Sequence, residues 1–194
     1  MKKAVIIICS FMLMSSFSCE RDPVSPKVDP IVNSPSSAVP ADFKGGGWFW
    51  GTVSALSHYD PIGNNLGRDW EAGRKIEFYE ENGQGRMDFN QYLGTRNFSN
   101  CVTEIYTHKK GSIKFEGQNK YIFYPVEGTI RTVKSGKSSS CAKENILRQL
   151  TKDQLTPDTA LYQIKMVQGR KFLYVYQATD TDMKSPLFGY QISQ

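Results

Sequence analysis

"KIEFYEENGQGRMDFNQYL", residues Lys75–Leu93, carries the clearest structural signal in the chain. Asn82-Gly83 in its middle is a strong two-residue signal for a type I′ hairpin turn, in which both positions need a positive φ. A turn placed there sets two apolar pairs opposite each other, Phe78 with Met87 and Ile76 with Phe89. One face of the hairpin is then apolar in both strands, which predicts a half-buried antiparallel sheet.

Further strand-like stretches lie on both sides of this hairpin, and turn residues separate several of them. They are Trp48–Leu56, Val102–Thr107, Ser112–Glu116, Lys120–Thr132, Leu161–Val167, Lys171–Gln177 and Leu187–Ile192. The turn signals are Lys110-Gly111, Gln118-Asn119, Gln168-Gly169 and Ser185-Pro186. The sequence therefore predicts about nine short strands joined mostly by tight turns.

Two segments depart from the strand pattern. Cys141–Leu150 has Ile146, Leu147 and Leu150 at helical spacing, which predicts one short helix. Ser57–Gly73 is predicted to be a large loop, and loops of this length are uncommon unless they act as lids or binding loops.

A meander of eight or nine strands is expected to close on itself, because an open sheet would leave unpaired backbone groups on its edge strands. The predicted fold is all-β, a single antiparallel up-and-down barrel with one short helix, and a two-sheet β-sandwich is the alternative. Gly46-Gly47-Trp48 resembles the Gly-x-Trp opening of lipocalins, eight-stranded barrels that hold small apolar ligands and whose bacterial members are often lipoproteins. The resemblance implies a lipocalin-like barrel; the second lipocalin signature, Thr-Asp-Tyr between two strands, is absent.

The first 45 residues differ in composition from the rest. Lys2 and Lys3 precede the apolar run Ala4–Met14, which is too short to cross a hydrocarbon core of about 30 Å and is typical of a secretory signal. Residues 20–45 contain five prolines and few large apolar side chains. Such a segment cannot bury enough surface to offset its ordering entropy, so we expect an extended spacer.

Ser16-Phe17-Ser18-Cys19 resembles the lipobox of bacterial lipoprotein precursors, with Ser16 where leucine is common. The resemblance implies cleavage before Cys19, acylation of that cysteine, and anchoring in a lipid bilayer without a transmembrane helix. It divides the chain into a signal peptide (1–18), a lipidated cysteine with a disordered tether (19–45) and a β-barrel domain (46–194). The expected location is the cell envelope, on the outer membrane, with the periplasmic or surface face left open.

The remaining cysteines fit an exported protein. Cys9 leaves with the signal and Cys19 is assigned to lipid, so Cys101 and Cys141 remain. An even pair in an oxidising compartment predicts a disulfide. The alternative, a reactive or metal-binding pair, lacks support from histidines.

No enzyme, metal or cofactor motif is found. The hairpin register sets Glu77 opposite Asp88, and our interpretation is charge compensation by three neighbours on the same face, Lys75, Tyr79 and Arg86. The alternative is a metal-sharing or acid/base pair. The two histidines, His58 and His108, belong to no metal-spaced or triad-like motif. Without Lys2 and Lys3 the chain has 24 − 2 = 22 basic and 19 acidic residues, a net charge of +3 that does not indicate nucleic-acid binding.

Four aromatic residues are the candidate ligand contacts. Trp48 and Trp50 share one face of the first strand and form either a ligand wall or core, and Trp70 and Tyr59 lie in the predicted large loop. The predicted function is a membrane-anchored envelope lipoprotein whose barrel binds a small apolar or glycan ligand. The alternative is a non-catalytic structural or protein-interaction module of an envelope complex. An aromatic-lined interior with one or two polar groups favours binding, and a filled interior with an exposed apolar patch favours the alternative.

Overall fold

The structure is a computed structural model and describes residues 34–51, 70–136 and 138–193. Nine strands in these ranges form one antiparallel sheet. They are β1 (Gly47–Gly51), β2 (Trp70–Glu81), β3 (Gln84–Arg96), β4 (Val102–Glu116), β5 (Lys120–Ser135), β6 (Glu144–Gln149), β7 (Asp158–Val167), β8 (Arg170–Gln177) and β9 (Phe188–Ser193). Two one-turn 3-10 helices, Ala41–Phe43 and Lys152–Gln154, precede β1 and β7. No helix in the described ranges is long and apolar enough to cross a membrane.

The sheet closes into a ring. Neighbouring strands pair in sequence from β1 to β5 and from β7 to β9, and the pairings of β1 with β9 and of β5 with β7 complete the circle. The long strand β5 pairs with β7 through Lys120–Phe123 and with β6 through Thr129–Lys134. Strand β6 therefore extends the sheet beside the ring of the other eight strands. The prediction of an all-β, antiparallel, closed fold is confirmed.

The hairpin forms as its local signal predicts. Asn82 and Gly83 connect β2 to β3 with φ angles of 53° and 73°. The predicted apolar pairs, Ile76 with Phe89 and Phe78 with Met87, are direct cross-strand neighbours. All four of these side chains belong to the hydrophobic core or pack against it.

The predicted helix at Cys141–Leu150 is wrong, because residues 144–149 form β6. The apolar spacing there does not correspond to a buried face: Ile146 and Leu147 are 51% and 64% exposed. The part of β5 that follows its pairing with β7 has backbone N–H and C=O groups without a partner from β7. Strand β6 forms the hydrogen bonds to these groups.

The predicted turn at Lys110-Gly111 is also wrong, because both residues lie inside β4. The pairing of β4 with β5 shifts register between these two residues, as in a β-bulge. A Cβ on Gly111 would lie closer than 3.0 Å to the Tyr124 backbone. The glycine thus permits a close approach between strands and does not reverse the chain. The first predicted strand is present as β1 up to Gly51, and residues 52–69 lie outside the described residues. The prediction of a large loop is wrong for Trp70–Gly73, which pair with β3 at the start of β2.

The prediction of a disordered tether is wrong for residues 35–43, because they pack onto the ring. We call Pro35–Phe43 the plug segment. The Ser37 backbone N–H donates to the Ile113 carbonyl (3.1 Å), and the Ser37 carbonyl accepts from the Gly85 N–H (2.9 Å). Its hydroxyl accepts from the Phe115 N–H at 2.8 Å. The segment therefore connects the first residues of β3 to the last residues of β4.

The plug segment closes one end of the ring. Phe43 is 1% exposed, and its ring centroid lies 4.8 Å from those of Phe78, Phe115 and Tyr162. The Trp48 indole N–H donates to the Phe43 carbonyl at 3.2 Å. A segment that is polar and proline-rich overall is thus held by a few buried apolar side chains and backbone hydrogen bonds.

Candidate functional site

The half of the ring interior that lies away from the plug segment contains a space that the described side chains do not fill. On β2, Phe78 contacts the plug segment, whereas Ile76 and Arg74, further along the same face, line a cavity of about 610 Å³. This volume lies within the range of roughly 300–1,000 Å³ that is common for small-molecule sites.

The floor of the cavity is buried and mostly apolar. Its side chains come from alternate positions of six strands, as the two-residue period of a strand requires. They are Ile76, Met87, Tyr121, Phe123, Ala160, Val175 and Tyr190, and none is more than 6% exposed. The floor rests on the core that the plug segment completes.

One wall of the cavity carries a half-buried cation. The guanidinium carbon of Arg74 lies 3.9 Å from the ring centroid of Phe188 and 5.5 Å from that of Phe89. The same guanidinium interacts with the hydroxyl of Tyr190 on the floor. The aromatic rings hold the guanidinium by cation–π contact.

Most side chains at the rim of the cavity are polar. Its side chains are Gln91, Thr107, Lys109, Thr156, Asp158, Gln177, Ala178, Thr179 and Leu187. The Lys109 ammonium donates to the Gln154 carbonyl at 2.7 Å and so holds the second 3-10 helix near the mouth. Among the described residues, the charged groups that line the cavity are Arg74, Lys109 and the exposed Asp158, so two cations oppose one anion.

The two tyrosines on the floor are neutral at neutral pH. Burial raises the pKa of Tyr121 well above its ordinary value. Burial also raises the pKa of Tyr190, although the neighbouring Arg74 charge partly opposes the shift. Both residues therefore present neutral hydroxyls in an otherwise apolar floor.

The predicted ligand contacts take different places. Trp48 is fully buried in the core, on the plug side. Trp50 is half-buried, lies opposite Arg74 on the same face of the sheet, and has its ring 5.0 Å from that of Phe188. The backbone of Trp70 begins β2 opposite Thr95, while Tyr59 and Cys19 lie outside the described residues.

The predicted disulfide is present. Cys101 and Cys141 are joined with an S–S distance of 2.11 Å across a sequence separation of 40. The bond links the segment before β4 to the segment before β6. Because disulfides persist in oxidising compartments, the bond indicates an exported protein.

The carboxylate pair lies on the outer face, away from the cavity. Glu77 stands opposite Asp88, as the register predicts. Lys75 pairs with Glu77 at 2.8 Å, whereas Asp88 takes His108 at 2.8 Å as its partner. Arg86 instead contacts two neighbours in the turn region, Gln84 and Glu81. In the described part of the chain no three His, Cys, Asp or Glu side chains are grouped as a metal site would require.

Sequence reasoning missed the wall residues Arg74 and Phe188 and the floor residue Tyr190. One signal for Arg74 was present, because it is in phase with Ile76 and Phe78 on the apolar face of β2. An arginine at an inward position of an amphipathic strand indicates a wet or ligand-facing interior. Comparisons with protein-family models, with curated proteins and with solved structures give no match to this chain.

Proposed function

We propose that this protein is a lipid-anchored protein of the cell envelope that binds a small, largely apolar ligand inside its ring. The observation that carries the proposal is the cavity of about 610 Å³, with its buried apolar floor and polar rim. Protein interiors are otherwise packed as densely as organic crystals, with few voids larger than a water molecule. In the plug half of the same ring, Phe43 packs directly against Phe78 and Phe115, so the open space belongs to the other half.

An apolar ligand is favoured over a glycan. A sugar platform needs aromatic faces that are accessible, and Trp48 is 0% exposed while Trp50 packs against Phe188. The floor offers two tyrosine hydroxyls among aliphatic and aromatic surfaces. A sugar, with a hydroxyl on nearly every carbon, would leave many of its polar groups unpaired there.

Ligand binding is tested by native mass spectrometry of the full-length protein purified after export. We expect either a co-purified small molecule or uptake of added dodecan-1-ol at one equivalent. Ala160→Phe fills the floor and should abolish uptake, whereas Leu147→Phe, at a 64% exposed position of β6, should not. Urea unfolding checks that both variants fold. A wild-type protein that takes up no probe, or an Ala160→Phe variant that binds normally, contradicts the proposal.

The anchoring part of the proposal is supported by the lipobox resemblance at Cys19 and by the disulfide, which fits export. Metabolic labelling with an alkyne fatty acid tests it. We expect label on the wild type and its loss in Cys19→Ser, with Cys9→Ser as the matched control that keeps the label. Equal labelling of the Cys19→Ser variant contradicts lipidation at this cysteine.

A second candidate function, a protein-interaction module, is favoured by β6. This strand pairs only with β5 among the described strands and exposes Ile146 and Leu147. In-cell cross-linking of the wild type should then yield a specific partner that the double variant Ile146→Ser, Leu147→Ser loses. Identical cross-links in both proteins contradict this alternative.

A further inference from the structure

We propose that the ligand of the cavity is a single-chain amphiphile with one anionic head group, a carboxylate or a phosphate monoester, bound by Arg74. The inference rests on the proposed ligand-binding function and adds the chemical class of the ligand. It follows from how Arg74 is held, from the lack of an ion-pair partner for it among the described residues, and from the polarity gradient of the cavity.

Arg74 is held in an orientation that leaves donors available. The ring of Phe188 covers a face of the guanidinium at 3.9 Å, and Phe89 lies within 5.5 Å. Stacking occupies the face of the planar group, while its five N–H donors point outward in the plane. Tyr190 accounts for one contact. The remaining donors match the two oxygens of a carboxylate or phosphate in a bidentate arrangement.

Among the described residues no carboxylate forms an ion pair with this cation. In the described ranges the ion pairs of the cavity strands and their neighbours involve other cations, and none joins Arg74 to an acidic side chain. A half-buried charge without a direct ion-pair partner is unfavourable, because the partial loss of water is not compensated. A ligand anion supplies the missing partner.

A second cation at the cavity also favours an anionic ligand. Lys109 lies on the same inward face, beside Phe89, with its ammonium held at the mouth by the Gln154 carbonyl. Asp158 opposes both cations from an exposed position on the rim. The sum of these charges is positive, so an anionic head group is preferred over a neutral or cationic one.

The cavity becomes less polar from mouth to floor. Below Arg74 on β2 comes Ile76, and the floor residues beside it carry no charge. An alkyl chain lying on this floor removes apolar surface from water, which contributes about 0.8 kcal/mol per buried methylene. The head group then lies at Arg74, and the chain points toward Tyr121 and Phe123.

The test uses three probes of equal chain length with the full-length protein: dodecanoate, dodecyl phosphate and dodecan-1-ol, titrated by native mass spectrometry. The wild type should bind at least one of the two anions about tenfold to hundredfold more tightly than the alcohol, which is the range expected for charge-assisted hydrogen bonds. Preference between the two anions distinguishes a fatty acid from a phosphate ester.

Variants assign the preference to Arg74. Arg74→Gln should lose the preference but keep alcohol binding, and Arg74→Lys should retain part of it. Lys75→Gln, the next residue on the outer face of β2, is the matched control and should behave as the wild type. Asp158→Asn should strengthen anion binding without changing alcohol binding. If Arg74→Gln does not fold, as judged by urea unfolding, the lysine and Asp158 variants still test the inference.

Different failures have different meanings. Equal binding of all three probes to the wild type, or a preference that survives Arg74→Gln, overturns the anionic class and leaves the cavity proposal standing. An equal effect of Asp158→Asn on anion and alcohol also counts against it. If none of the probes binds the wild type, the ligand-binding proposal itself fails.

Discussion

Replacing Phe43 with alanine is expected to lower the free energy of unfolding by about 4 kcal/mol. The side chain is 1% exposed and fills one end of the ring between three other rings, Phe78, Phe115 and Tyr162, each at 4.8 Å. Truncation of a fully buried phenylalanine to alanine costs roughly 3–5 kcal/mol, because transfer free energy is lost and a cavity remains. The hydrogen bond from Trp48 goes to the backbone carbonyl of Phe43, so the variant tests the side chain alone.

Two further variants calibrate the result. Phe43→Leu keeps most of the apolar volume and loses the three ring pairs, so a smaller loss of roughly 1.5 kcal/mol is expected at ~0.5 kcal/mol per pair. Phe98→Ala removes the same side chain from a fully exposed position between β3 and β4 and should change stability by no more than about 0.5 kcal/mol.

The assay is equilibrium urea unfolding with the disulfide intact, in which the midpoint and the slope m give the free energy. An unchanged m with a lower midpoint indicates that the ring still unfolds as one unit. A loss below about 1 kcal/mol for Phe43→Ala, or a loss equal to that of Phe98→Ala, would refute the assignment of residues 35–43 to the folded domain.

Three further predictions concern the closure of the ring and its ends. Replacing Cys101 and Cys141 together with serine should lower the free energy of unfolding by about 4 kcal/mol, because the bond closes a loop of some 40 residues in the unfolded chain; an unchanged urea midpoint contradicts this. The Glu80 carboxylate accepts hydrogen bonds from the Lys44 ammonium and from a plug-segment N–H, and these bonds lower the pKa of Glu80. The ionised carboxylate therefore stabilises the fold fully above its ordinary pKa of 4.5, and this stabilisation is lost as the pH falls below 4.5. Amide protection factors in the plug segment should fall over that acidic range, and Glu80→Gln should give low protection already at neutral pH; protection that is constant down to pH ~3 contradicts the linkage. A Cβ on Gly85 would meet a plug-segment carbonyl closer than 3.0 Å, so Gly85→Ala should cost about 1–3 kcal/mol, and a variant as stable as the wild type argues against this contact.

Local signals predicted the parts of the fold that depend on a few neighbouring residues. Asn82-Gly83 predicted the hairpin turn, and the period of two along β2 and β3 predicted the apolar register. The two wrong elements have a common cause. Residues 144–149 became a strand because β5 offers an unpaired edge, and Gly111 remained within a strand because β5 approaches it closely. Both depend on a partner that is distant in the sequence.

The sequence by itself determined that the fold is all-β, that the hairpin has its register, and that one pair of cysteines is joined. Each of these follows from local turn chemistry, from side-chain alternation or from counting. Only the tertiary structure decided that the plug segment is part of the domain, that Trp48 is core, and that Arg74 faces a cavity. Those outcomes depend on which half of the ring interior is filled by side chains and which half stays open. Contacts among strands that are far apart in the chain decide this.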